Sequence, residues 1–538
     1  MFWIGTAAVT VALAGVLAWY LESWPPHEDE ALALFVGRGS FGDLLHTVVA
    51  ERGGAPLHFV FAWIVVQLGG GLSALRVVSL LFAVASVPLI ALLGLRLANR
   101  AAGVVAALLA SGTWVLIFHG IYGRMYSLFL FTSLLSFLAL LRALQEPGEP
   151  PGSPETPSPG PLTRTGGFAA GGRRRFALWG VALVLLLASH PYAVLVVGAQ
   201  VLYVLLRRRR LRDALATLTA VAVVGIPFWW ADIVLRDRFD VGVGGGGEKL
   251  GSPGAVLHYL WWVSGDFSAG HGAWSVPVLL LALTGALLML AHRRRDGVIL
   301  AACVIAVPTL ALTVATLGSS TSPESRHLIF ALPFFSVLIA VPLVEFGRLR
   351  PPLTAALAAA AIATLMVGEL RWAHDKTPAL FDGDPASKIQ ARNAAAAWLA
   401  STARPDDVLL GYEPLYLRAW EKNRSFSAYA IPRADPGLFA DALKDVPEPL
   451  GRGVWVFDAS DTTNVWERQT IPFALPKPEP MFEGRVYGPY LVIRSWDPLE
   501  TRARYLAVSE TVMRLGRDLR ISDADINLRT ILRAESRF

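Results

Sequence analysis

Over the first 372 positions, apolar runs of about twenty residues alternate with short breaks that often carry arginine; after Trp372 the pattern stops. A helix needs about 20 mostly apolar residues to cross a bilayer. On that criterion the runs predict spans at 2–20, 74–95, 101–119, 125–145, 176–189, 191–206, 213–231, 274–291, 297–317, 327–346 and 353–372. The fold class is therefore a polytopic α-helical membrane protein of about 11 transmembrane helices, followed by a C-terminal soluble α/β domain. Phe2 to Tyr20 lacks a basic leader and a small-residue cleavage signal before Glu22, which favours an uncleaved first helix.

Two segments test the threading. Pro56 to Leu68 is apolar but too short to cross comfortably, and it is expected to lie as a helix in the outer leaflet. Phe176 to Leu206 is long for one span, and Ser189-His190-Pro191 divides it into two, with Pro191 suited to start a helix. The breaks at Arg96/Arg100, Arg173 to Arg175, Arg207 to Arg210, Arg293 to Arg295 and Arg348/Arg350 then all face the cytoplasm. This threading leaves the N-terminus inside and the C-terminus outside, in an inner (cytoplasmic) membrane.

The predicted organisation is a transmembrane domain over 1–372 and an exported α/β domain over 373–538. Within the first, 21–73 forms an outer loop with juxtamembrane helices, 146–175 a disordered cytoplasmic loop, and 232–273 a second outer loop. The 146–175 segment is rich in Pro, Gly, Ser and Thr and cannot bury a core. Gly242 to Gly247 reads as a hinge or lid, because it neither follows a strand nor opens a helix as a phosphate cradle would. Beyond Trp372, strand signals at Asp407 to Tyr412, Val454 to Phe457 and Tyr490 to Trp496 accompany an Ala-rich helix at Lys388 to Ala400.

Composition adds little except exclusions. Of 538 residues, 54% are hydrophobic and 17% charged, with a mean hydropathy of +0.48, values outside the range of a soluble globule. The net charge of +6 is split between breaks and forms no single basic face, which excludes nucleic acid as a partner. The one cysteine, Cys303, lies in an apolar run.

The candidate chemistry starts at His27-Glu28-Asp29-Glu30, immediately after the first span. Ionisable groups at a membrane boundary are costly, and are functional candidates by default. Crowded carboxylates are expected to raise one another's proton affinity, which suits a general base. Asp29 is the first choice, with Glu30 as a second catalytic candidate and Glu28 as an acceptor ligand. Gly123-Arg124-Met125-Tyr126 and Ser322 to His327 open later spans at the same face, and their arginines could clamp a phosphate. His190-Pro191-Tyr192 occupies a tight outer turn. His258 to Trp262, with Asp266 and His271 beyond, reads as an interfacial aromatic belt in preference to a sugar-stacking surface. No close ligand spacing recommends a zinc site, and a divalent-metal requirement stays open.

Taken in order, several short segments resemble the GT-C glycosyltransferases, close to the family 39-like branch of protein O-mannosyltransferases and aminoarabinose-lipid A transferases. Asp29-Glu30-Ala31 resembles the acidic pair of the first outer loop, and Ala55-Pro56-Leu57-His58-Phe59 the "HPPLYY" stretch. Leu75 to Ser79 resembles "LRLPS", Arg124-Met125-Tyr126 "ARMY", Ser189 to Tyr192 the "THY" turn, and Arg326-His327-Leu328 with Leu332-Pro333 "RYLLPALP". Gly54 and Tyr122 depart from the pattern, replacing a His and an acid.

The resemblance covers roughly residues 1–372. It implies inverting transfer of a hexosyl or pentosyl unit from a polyprenyl-phosphate donor to a lipid, glycan or protein acceptor on the outer face. Asp29 would be the base and Arg326 a ligand of the carrier phosphate; Glu28, His58, Arg124, Tyr126, His190, Tyr192, Glu324 and His327 would contact substrate. Two other classes compete: a transporter or flippase of lipid-linked sugars, and a non-catalytic assembly partner. Ionisable residues at outer helix ends, away from the bilayer midplane, favour the enzyme.

Overall fold

The structure is a computed structural model that describes residues 1–145, 170–239, 250–315, 324–349, 352–426, 428–433, 435–458, 482–521 and 523–538. The Gly242–Gly247 hinge and most of the 146–175 loop lie outside the described residues. The end of that loop is helical instead of disordered, because the Ala170–Leu187 helix starts inside it.

Helices carry the membrane part. Six are long and apolar enough to cross a bilayer, and eight when each of two bent pairs counts as one span. The bent pairs are Arg100–Gly112 with Trp114–Ile121, and Leu211–Val224 with Ile226–Leu235. All eight fall on expected spans. The expected spans at 191–206 and 274–291 correspond to shorter apolar helices, Ala193–Arg207 and Ser275–Ala291, and 176–189 to the Arg-led Ala170–Leu187 helix. The count of eleven is therefore not reached by length and composition among the described residues.

The 26-residue helix Leu72–Leu97 is the spine of this part. It packs against Phe2–Trp19, Arg100–Gly112 and Tyr126–Leu144. Between lipid-facing helices, close packing must replace the hydrophobic effect, so small residues sit at the contacts. Gly94 faces Gly103 so closely that a Cβ on Gly94 would lie 2.6 Å from the Gly103 Cα. The short helices Glu28–Val36, Phe41–His46 and Leu57–Gln67 fill the first outer loop.

The C-terminal part is a five-stranded mixed sheet, β1 (Val408–Leu410), β2 (Tyr429–Ile431), β3 (Gly453–Asp458), β4 (Phe482–Tyr487) and β5 (Tyr490–Ser495), in the order β2-β1-β3-β5-β4. β1 runs parallel to β2 and β3, whereas β5 pairs antiparallel with β3 and β4. One side is covered by Pro436–Asp445, Arg502–Asp518 and Ala524–Glu535 around buried Trp455, Phe439 and Tyr505.

The other side joins the first outer loop. Leu409, Tyr416, Trp420, Val454 and Val492 share one apolar cluster with Ala31, Leu34, Ala62 and Leu75. Polar links reinforce it: Arg38 Nη2 donates to the Phe426 carbonyl (2.8 Å), and the Leu72 N–H donates to Glu421 Oε1 (2.9 Å).

Within the sheet domain, Arg452 is paired in parallel with fully buried Asp407, both contacts at 2.9 Å, and also donates to the Thr402 carbonyl. Removing one member of such a pair strands a buried charge, whereas replacing both does not. We expect Arg452→Met to lower the unfolding free energy of the full chain by about 3–5 kcal/mol in urea titrations, and Asp407→Leu in the same chain to recover most of the loss.

Candidate active site

The Glu28–Val36 helix begins after Pro25 and Pro26 with a reciprocal cap. His27 Nδ1 accepts the Asp29 N–H (3.2 Å), and the His27 N–H donates to Glu30 Oε2 (3.2 Å). Acids in a first helical turn also answer the positive end of the helix dipole. Successive helical residues point about 100° apart. The three neighbouring carboxylates therefore diverge, and each meets a different arginine.

Glu30 is fully buried and grips Arg76 in parallel: Nε to Oε1 at 2.9 Å and Nη2 to Oε2 at 2.8 Å. Arg76 also donates to the carbonyls of Leu21, Trp24 and Pro25, and the Gly123 N–H donates to Glu30 Oε1 (2.7 Å). With both oxygens engaged and no exposure, Glu30 is unavailable as a base, and its catalytic assignment is corrected to a positioning one. Glu28 turns outward to Arg433 of the sheet domain (2.9 and 3.1 Å). In this structure it links the two parts of the chain and stays about a third exposed (35%).

Asp29 stays on the working side. Arg124 Nη1 lies 3.1 Å from its Oδ1, and the Tyr122 hydroxyl lies 3.2 Å from Oδ2 and 2.9 Å from His27 Nδ1. Burial works to raise the Asp29 carboxyl, but Arg124, His27, Arg326 and the Tyr122 hydroxyl together hold it below its ordinary 3.8. The expectation that crowding raises its proton affinity is overturned, since its neighbours are cations and not the adjacent acids. Burial, and then Asp29, push the Tyr122 hydroxyl well upward, so it remains a proton donor in hydrogen bonds.

Behind this group runs a chain of rings. Arg326 sits over the Tyr126 ring (5.1 Å to its centre), Tyr126 lies 5.4 Å from His190 and 5.7 Å from His327, and Tyr192 stacks on His327 at 4.8 Å. Burial, reinforced by nearby cationic groups, depresses His190 well below 6.5. Glu324 pairs with Arg326, its carbonyl accepts the His327 N–H (2.9 Å), and the Glu324 N–H donates to His327 Nδ1 (2.9 Å). His58 is buried on Leu57–Gln67. Among the described residues, Arg124 Nε, Arg326 Nε, His58 Nε2 and His190 Nε2 are buried without hydrogen-bond partners.

A cavity of about 550 Å³ opens beside this chain, lined on one side by His27, Tyr122, Glu324 and Arg326. Trp24, Trp114, Phe118, Tyr259 and Trp262 give it aromatic walls, and the Asp266–Lys376 ion pair closes the far end. Tyr259, Trp262 and Asp266 thus line a cavity as well as facing the interface, so the aromatic-belt reading is too narrow. Among the described residues no group of three or more His, Cys, Asp or Glu side chains is placed to hold a metal ion.

Sequence reasoning missed four residues here. His27 had a signal, the His-x-x-Glu capping spacing, and Arg76 stood inside the Leu75 to Ser79 segment. Tyr122 was noted only as a departure. Arg433, about four hundred positions from Glu28, left no signal.

No family model matches the sequence, and no curated protein matches it. Solved structures do. ArnT from Cupriavidus metallidurans in the apo state superposes with a TM-score of 0.54 at 13% identity, covering 91% of this chain and 98% of that one. The same protein bound to undecaprenyl phosphate gives 0.53 at 13%, covering 91% and 97%. The Archaeoglobus fulgidus oligosaccharyltransferase in complex with Zn and sulfate gives 0.50 at 13%, covering 83% and 67%. The chain therefore shares its fold with ArnT over 91% of its length.

Arg433 serves three carboxylates at once: Glu28, Glu413 (2.6 Å) and Asp523 (3.7 Å). One guanidinium cannot neutralise three acids, and burial pushes the Glu413 carboxyl up to about 7 despite Arg433. A carboxyl raised on folding stabilises the fold fully below its unfolded value near 4.5, and that contribution disappears as pH rises through about 7. We expect the thermal midpoint of the full chain to fall between pH 5 and pH 7, and Glu413→Gln to flatten that slope; a parallel slope in the variant would refute the assignment.

Proposed function

We propose that this protein is a membrane glycosyltransferase that moves a sugar from a polyprenyl-phosphate donor to an acceptor hydroxyl or amine at the outer membrane face, with inversion. The observation that carries the reading is the Asp29–Arg124 pair in contact with His27 and Tyr122, which line one cavity together with Arg326. Two supports come from fold relatives, one bound to undecaprenyl phosphate and one an oligosaccharyltransferase.

The chemistry asks little of the protein, because a polyprenyl phosphate is already a good leaving group. Asp29 takes the proton of the acceptor as the acceptor heteroatom bonds to the anomeric carbon. The bond from that carbon to the phosphate oxygen breaks on the opposite face, and the electron pair leaves with the phosphate. Charge develops on that phosphate, where pre-positioned guanidiniums stabilise the transition state more than the ground state. Arg326 suits this role, since its Nε has no partner among the described residues. Arg124 orients Asp29 and adds positive charge. A base held below 3.8 stays ionised at neutral pH, at the cost of some proton affinity. Tyr126, His190, Tyr192 and His327 back Arg326, with the Tyr126 ring beneath its guanidinium, and the acceptor approaches from the side of the C-terminal domain in the exported orientation.

The test is Asp29→Asn, assayed with radiolabelled polyprenyl-phosphate sugars and membrane-derived acceptors. Transfer should drop by about 10²–10⁴-fold while undecaprenyl phosphate still binds; a fully active variant removes Asp29 from the base role. In the parent, the acid limb of the rate profile should not come from Asp29, which is ionised above 3.8. Arg326→Lys should lower kcat more than it raises the donor KM, because a point charge replaces a planar fork where charge develops.

A further inference from the structure

A second cavity, of about 260 Å³, lies between the first outer loop and the C-terminal domain and is so far without a role. Its walls mix charged and polar side chains with apolar ones such as Leu72, Ile389 and Leu417. From the C-terminal domain come two ion pairs, Asp384–Arg392 (2.7 Å) and Arg418–Glu421 (3.0 Å), together with Asn393. From the membrane part come Glu22, Ser73, Arg76 and the Trp24 to Pro26 segment. Trp24 also lines the larger cavity, so this one residue borders both spaces. Its indole N–H is buried with no partner among the described residues. Three positions further on, His27 caps the helix that carries Asp29.

Apart from Glu22, the wall charges are matched by ones of opposite sign: Asp384 by Arg392, Glu421 by Arg418, and Arg76 by Glu30. A strongly anionic occupant would meet Glu22, Asp384 and Glu421, and a cationic one Arg392 and Arg418. An apolar occupant would strip water from all of these without replacing its hydrogen bonds. Paired carboxylates and guanidiniums do offer acceptors and donors side by side, the arrangement that adjacent hydroxyl groups satisfy by donating and accepting together. Asn393 adds an amide, and Trp24 adds an indole donor next to an aromatic face.

We infer that this cavity binds an uncharged, hydroxyl-rich saccharide unit of the acceptor, and that Trp24 borders both that unit and the reaction cavity. The inference rests on the transferase reading for the word acceptor, but the saccharide site itself does not. It narrows the acceptor to a glycan or glycolipid and gives the C-terminal domain a task, to hold that molecule while the membrane part holds the donor.

Photoaffinity labelling tests this on the full-length protein in lipid nanodiscs. Diazirine-bearing methyl glucoside, galactoside and mannoside are irradiated with the protein, and the adducts are mapped by mass spectrometry. Adducts are expected in 383–393 or 414–421, displaced by excess free methyl glycosides. Asn393→Trp and Ser73→Trp, which fill the cavity from opposite walls without breaking an ion pair, should each lower that labelling several-fold with a parent-like thermal midpoint. Adducts absent from these segments overturn the proposal, as does labelling that neither filler reduces or equal labelling by a diazirine tripeptide that the glycosides do not displace. Undecaprenyl phosphate binding is measured on the same samples and should be unchanged in both variants. Its absence from the parent protein would strike the transferase reading and leave the saccharide result to stand by itself.

Discussion

The site depends on one arrangement, in which three consecutive carboxylates on a nine-residue helix are each held by a separate guanidinium. A helix that short is not stable in water by its own hydrogen bonds. Its place comes from the cap at His27, from apolar contacts through Ala31 and Leu34, and from the arginines. The three pairs differ in kind. Glu30–Arg76 is fully enclosed and ties the helix to the Leu72–Leu97 span. Glu28–Arg433 ties it to the sheet domain, and Asp29–Arg124 lies against Tyr122, which lines the cavity. Fixing the residues on both sides of Asp29 leaves its carboxylate little freedom of direction, which is what a base must have if its acceptor is to arrive in line.

The same logic explains why positive charge is concentrated behind Asp29. Arg124 and Arg326 have buried Nε atoms without partners among the described residues, and buried donors left unmatched are costly. The depressed Asp29 carboxyl is the other face of that cost, since the cations lower its proton affinity. An arrangement that weakens its own base and strands donors is poor as a purely structural device. It is well suited to an anion that develops charge during reaction, because pre-positioned donors then need no reorganisation.

Much of the fold was legible because membrane spans announce themselves by length and apolarity: Leu72–Leu97, Tyr126–Leu144 and Leu353–Lys376 were expected within a few residues. Spans such as 176–189 were harder, since three arginines and a neighbouring break shorten the apolar window. The juxtaposition of Asp29, Arg124 and Arg326 was readable as residues at outer helix ends. What was not readable was where Glu28 and Glu30 turn. Sequence places three acids in a row, but only the helical rotation sends them to different partners, and the partner of Glu28 lies in another part of the chain. Adjacent charges in a sequence suggest mutual repulsion; adjacent charges on a helix need not touch.

That distant partner has a mechanical consequence. Arg433 has room because Gly411, at φ +86°, carries no Cβ, which would meet the arginine side chain at 2.9 Å. Through Glu28 this guanidinium holds the residue next to Asp29, while the sheet on which it rides shares its apolar face with Ala31 and Leu34. A shift of the C-terminal domain relative to the membrane part therefore cannot leave the Asp29 helix where it is, because the ion pair and the shared cluster move together. Coupling between two regions requires an element that both of them bias, and the Glu28–Val36 helix is placed to be that element.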